Sequence, residues 1–175
     1  MDLRTTRTIR SAIEIRAPID TVWGVLTDFA AYPDWNPHIR RVLGTVTEGS
    51  RLAIHTRPPG GRMIVMRPRV TTWAPPTELR WRATFLNRRL FTGEHGFRLE
   101  PAGANRVRFV QDETFSGLLV PFYSRLRLPR TRRGFDEVNQ ALRTRVEQLA
   151  GSATEPVGEA DTSVGEQVYA EDVPG

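Results

Sequence analysis

The chain has 175 residues, 39% hydrophobic and 26% charged, an ordinary balance for one soluble globular domain carrying a tail. It has no cysteine, which excludes disulfides, thiolate metal sites and a cysteine nucleophile. The formal charge of +5 is carried by 25 arginines and no lysine, and it is uneven: residues 151–175 hold six acids and no base, leaving the first 150 with 14 acids and a net +11.

No apolar run approaches the length of a membrane span. The basic start MDLRTTRTIR is not followed by the apolar segment of a secretory signal, so cytoplasmic residence is expected. Residues 7–16 alternate, with Ile9, Ser11, Ile13 and Ile15 on one side, and read as a strand closed by Pro18. Asp20 is placed to cap a helix whose apolar face is Val22, Trp23, Val25 and Leu26. That helix stops near Asp28 and runs into FAAYPDWNP, residues 29–37. Tyr32 and Asn36 each precede a proline, which limits any second helix to one or two turns. Three aromatics in a proline-punctuated loop either plug the end of a core or line a site.

Strand patterns follow at residues 39–47, 51–57, 63–73, 78–86, 91–100 and 107–115, separated by Gly- and Pro-rich turns. Leu79, Trp81, Ala83 and Phe85 share one side of their strand. Phe91, Gly93, His95, Phe97 and Leu99 share one side of the next, and Val107, Phe109, Gln111, Glu113 and Phe115 one side of the last. Leu128, Thr131, Phe135, Val138, Leu142, Val146 and Leu149 then recur at three and four, the mark of a long amphipathic helix over residues 130–149. Pro129 should kink that helix or mark its start, and Gly151 should end it. Residues 151–175 are small, acidic and aperiodic and are expected to be a disordered tail on a domain of residues 1–150.

Runs of strands with helices at the ends give an α+β class. An antiparallel sheet needs one face covered, and the terminal helix is the cover. This layout, with IEIRAPIDTVWGVLTDFAAYPDWNP near the start and RRGFDEVNQALRTRVEQL at the end, resembles the START/birch-pollen-allergen-like (SRPBCC) superfamily, in its polyketide cyclase/dehydrase and lipid-transport branch. The likeness covers residues 7–150. It implies a helix-grip fold: a curved antiparallel sheet of about seven strands around a long C-terminal helix, two short helices after the first strand, and an apolar cavity between sheet and helix. It also implies a hydrophobic guest (a lipid, polyketide or aromatic compound), with Tyr32 and Trp35 at one end wall.

Of the three histidines, His38 and His55 are expected at the surface, whereas His95 points inward. Glu113 also points inward, and an ionised carboxylate on an apolar face is costly unless paired or neutral. It could anchor a ligand, act as a base, or pair with Arg125 or Arg132. His95, Gln111 and Glu113 cluster if their strands are neighbours. The candidate lining is Tyr32, Trp35, Trp81, Phe85, His95, Phe97, Phe109, Gln111, Glu113 and Phe135, with His95 and Glu113 as candidate catalytic groups. No metal-ligand spacing, serine elbow or phosphate loop is present, so neither metal nor cofactor is expected. Binding of a hydrophobic small molecule is the first expectation, and cofactor-independent aromatase/cyclase chemistry in the same cavity the second. Residues 117–133 combine apolar side chains with arginines and suit an anionic membrane surface, a lid or a solvated helix end. No recognition motif accompanies the net charge, so nucleic acid is not an expected partner.

Overall fold

A computed structural model describes residues 5–152. The elements run β1 (Thr5–Ile15), α1 (Ile19–Thr27), α2 (Tyr32–Trp35), β2 (Ile39–Leu43), β3 (Ala53–Thr56), β4 (Ile64–Met66), β5 (Arg69–Ala74), β6 (Glu78–Phe85), β7 (Phe91–Pro101), β8 (Val107–Gly117) and α3 (Val120–Ser152). The strands β1-β8-β7-β6-β5 form one antiparallel sheet and β2-β3-β4 a second. The two adjoin where Leu52 N–H donates to Pro68 O and Gly49 N–H to Val70 O, at 3.0 and 2.9 Å. This is the helix-grip α+β architecture, with eight strands instead of about seven.

The extra strand has a local cause. The segment expected as one strand over residues 63–73 breaks at Arg67-Pro68, so that β4 pairs with β3 and β5 with β6. Proline cannot donate to a ladder and constrains the residue before it, so the chain changes sheets there. Two further expectations change. The N-cap of α1 is Pro18, and Asp20 lies in the first turn without capping through its side chain. Pro129 does not start the helix, because α3 begins nine residues earlier, at Val120, and runs through Gly151 to Ser152. The Thr131 hydroxyl donates to Arg127 O at 3.1 Å and meets the Tyr123 hydroxyl at 3.2 Å, tying the turns either side of the proline. The expectation for the acidic tail falls beyond Ser152, outside the described residues.

The alternation read from the sequence sets the layers. Ile15, Leu79, Phe97, Leu99, Val107 and Phe109 project from the sheet into one core, closed by Leu142 and Val146 of α3 and by Val22 and Leu26 of α1. Fully burying a Leu or Phe is worth about 2–3 kcal/mol, so this layer dominates the cohesion of sheet and helix. The opposite face of the sheet is polar. There Arg80 makes a two-pronged bond to Asp112 at 2.8 and 3.0 Å and a third bond to Glu78 at 2.7 Å. Gly96 leaves room for that guanidinium, since a Cβ would lie 2.6 Å from Arg80 Cζ.

Candidate functional site

The helix-facing side of the sheet is not uniformly apolar. A second, smaller cluster (Ile9, Phe115, Val120 and Phe135, flanked by Phe91, Tyr123 and Leu128) lies at the N-terminal half of α3. Polar residues run between it and the main core. Register explains why they meet: His95 of β7 pairs with Glu113 of β8, Phe97 with Gln111, and Ser11 of β1 with Gln111. Two adjacent rows of the sheet thus read Trp81–His95–Glu113–Ile9 and Leu79–Phe97–Gln111–Ser11.

Gln111, 1% exposed, donates through Nε2 to Asn139 Oδ1 at 2.5 Å and to Phe135 O at 3.2 Å. Asn139 Nδ2 donates to the Ser11 hydroxyl at 2.9 Å, which donates to Asp136 Oδ1 at 2.5 Å. This chain ties β8, α3 and β1 together and satisfies polar groups that would otherwise be orphaned in the core.

His95 and Glu113 are less satisfied. The closest approach of their side chains is 4.0 Å, Nδ1 to Oε2, and they keep 17% and 20% of their surface, whereas Phe97, Phe109 and Gln111 around them keep 2% or less. His95 Nε2 is buried with no hydrogen-bond partner among the described residues. Aromatic rings enclose the imidazole, with centroids at 4.4 Å for Phe97, 4.8 Å for Phe135 and 5.8 Å for Trp81. Burial pushes His95 down to about 4, against an opposing pull from Asp112 and Gln111. Burial, with Asp112 adding repulsion, pushes Glu113 up to about 8. Both groups are therefore neutral at pH 7, the carboxyl holding its proton. Glu113 Oε1 lies over Gly93, where a Cβ would come within 3.1 Å. Among the described residues Glu113 makes no ion pair with Arg125 or Arg132; low polarity, not an arginine, decides its state.

The family model for polyketide cyclase/dehydrase and lipid transport matches residues 6–147. The chain belongs to that family.

Among solved structures, a START superfamily protein from Mycobacterium smegmatis is 22% identical at a TM-score of 0.64, covering 81% of this chain and 98% of its own. An aromatase/cyclase from Streptomyces sp. R1128 is 18% identical at 0.63, covering 86% and 99%. Norcoclaurine synthase from Thalictrum flavum is 13% identical at 0.65, covering 84% and 98%. At these identities the likeness concerns the fold. No curated protein matches.

Within this member of the family, the other candidates divide by position. Trp81, Phe97 and Phe109 belong to the main core, with Phe97 and Phe109 stacked at 6.1 Å. Phe135 faces His95 from α3. Tyr32 is 1% exposed, sits edge-on between Phe29 and Trp35, and donates its hydroxyl to Leu26 O at 2.7 Å, satisfying a carbonyl at the end of α1. It plugs the core end, which answers half of the question posed by FAAYPDWNP. Trp35 lines a shallow cleft of about 100 Å³ with Gly24, Arg145 and Leu149. Arg145 is ten residues past Phe135, about 15 Å along α3, so neither aromatic joins the His95 group. Phe85 is 63% exposed at the end of β6.

His38 is not the surface residue expected. Its Nε2 lies 2.7 Å from Glu137 Oε2 and its side chain is 14% exposed, because Gly134 lets α3 come close. His55 alternates with fully buried Ile54 and is half-buried on the other side of β3. Ser11, Asn139 and Gly93 were not singled out as site residues. Asn139 could have been found, since it falls four residues after Phe135 on the apolar stripe.

Between sheet and helix, the rings of Trp81, Phe97 and Phe135 surround His95, and Trp81 meets Phe97 edge-on at 5.0 Å. A larger cleft, about 390 Å³, is lined by Glu14, Arg16, Arg106, Arg143 and Glu147, away from the His95 group.

Proposed function

We propose that this protein binds a hydrophobic small molecule (a lipid, polyketide or aromatic compound) between the five-stranded sheet and α3, holding a hydroxyl or carbonyl of the guest at His95 and Glu113. One observation carries the reading. A neutral imidazole and a neutral carboxyl keep accessible surface beside the buried rings of Phe97 and Phe135, with His95 Nε2 unpartnered among the described residues. Leaving the buried His95 Nε2 unmet costs about 1–3 kcal/mol, and a guest hydroxyl that pairs with it recovers that loss. Apolar walls with few convergent polar groups are the usual composition of a small-molecule site.

Calorimetric titration with 1-naphthol and with naphthalene tests it. One-to-one binding is expected, tighter for 1-naphthol, with the difference abolished in His95→Leu. Failure of both probes to bind saturably, or an undiminished preference in His95→Leu, overturns the reading.

A second reading, cofactor-independent cyclisation and dehydration of a polyketone, is supported by the separation of the two proton affinities. A carboxyl near 8 holds a proton to give to a departing hydroxyl, and positioning of the folded chain supplies much of the rate. Glu113→Gln should then abolish the dehydrated, aromatised product from a poly-β-ketone while leaving 1-naphthol binding in place; unchanged formation of that product removes this reading and leaves the binding one standing.

A further inference from the structure

The turn between β6 and β7 and the link between β8 and α3 are joined into one tip at an end of the sheet. Leu118 N–H donates to Arg89 O and Leu119 N–H to Leu90 O, both at 3.0 Å, and Gly117, at φ +128°, gives the backbones the clearance to do so. The tip exposes large apolar side chains: Phe85 at 63%, Leu86 at 75%, Phe122 at 72%, Leu118 at 46% and Leu119 at 38%. Scattered exposed apolar residues need no explanation, but three leucines on two hydrogen-bonded connections, flanked by Phe85 of β6 and Phe122 of α3, make a patch.

Leu86 adds a second oddity. Its φ is 61°, the left-handed region where glycine or asparagine is favoured, and a leucine there is strained. A purely structural turn would gain from a smaller residue at that place. Strain and exposure coincide on one apolar side chain of this turn.

Charge points to the partner. On the sheet, Arg80, Arg82 and Arg98 are each paired with a carboxylate. At the tip, Arg88 and Arg89 on the turn and Arg125 and Arg127 on α3 are exposed and make no ion pair among the described residues. No acid occurs between Phe85 and Phe91 or between Phe115 and Phe135. Exposed apolar side chains interleaved with unpaired arginines match a bilayer, with acyl chains for the former and lipid phosphates for the latter.

We propose that this tip docks the protein onto an anionic phospholipid surface, with Phe85, Leu86 and Phe122 inserted and the four arginines on the headgroups. This does not depend on what is bound at His95.

Co-flotation of the full chain with vesicles tests it, comparing phosphatidylcholine alone with mixtures containing phosphatidylglycerol. Binding to the anionic vesicles at low salt is expected, weakening as salt screens the arginines. It should fall about fivefold for each arginine removed in Arg88→Gln and Arg89→Gln, and disappear in Leu86→Asp with Phe122→Asp. Both residues are exposed, so the melting temperature should stay within a few degrees. No binding by the wild type, equal binding to neutral vesicles, or full binding by the Asp variant overturns the proposal. So does a concentration-dependent dimer that the Asp variant abolishes while vesicles are ignored, which would make the tip a contact between two copies of this chain.

Discussion

Glu113 Oε2 and His95 Nδ1 approach to 4.0 Å from directly paired positions on β8 and β7, and both groups are neutral at pH 7. Such a pair has an unusual dependence of stability on pH. Between about 4.5 and 6.5 the unfolded chain holds a proton on His95 and the folded chain holds one on Glu113, so the two contributions cancel. Between 6.5 and about 8 only folded Glu113 holds the extra proton, and stability falls as pH rises, by about 2 kcal/mol across that window. Urea unfolding at pH 5.5, 6.5 and 8 should show that fall in the wild type and not in Glu113→Gln.

The link Gln111–Asn139–Ser11 is a structural unit. Gln111→Ala leaves Asn139 without its 2.5 Å partner and opens a cavity, and should cost about 2–4 kcal/mol. A double-mutant cycle of Gln111→Ala with Asn139→Ala should show coupling of about 1 kcal/mol or more. Additive losses would mean that the two residues act separately.

Much of this arrangement was legible in the sequence. Period-two alternation placed His95, Gln111 and Glu113 on the helix-facing side, and the three-and-four spacing placed Phe135 opposite. Register was not legible, because alternation reports which face a residue takes and not which neighbour it meets. The pairing of His95 with Glu113 emerged only from the ladder. Pro68 hid a change of sheet inside an apparent long strand, and Pro129 hid the first turns of α3, because an interior proline reads as a break or a start. Tyr32 and Trp35 were expected at one end wall; Tyr32 is buried there and Trp35 is partly buried beside it. Their distance from the His95 group is a matter of helix length that composition does not report.

Tyr32→Phe separates plugging from binding. It removes the hydroxyl from Leu26 O and should lower stability by about 1 kcal/mol, measured by urea unfolding. Because Tyr32 packs at the far end of α3, affinity for 1-naphthol should be unchanged.

Gly117 sets where α3 begins. A Cβ there would collide with the Leu90 carbonyl and would occupy a left-handed φ of +128°. Gly117→Ala should cost about 2 kcal/mol or more in chemical denaturation, and the shift of α3 should disturb Phe135 and loosen 1-naphthol binding.

A crystal structure with bound 1-naphthol tests the central claim most directly. The account expects the naphthalene rings between Phe97 and Phe135, with the hydroxyl at hydrogen-bond distance from His95 Nε2 or Glu113. A probe found only in the cleft of Glu14, Arg16 and Arg106, with the rings around His95 still closed on one another, would contradict it.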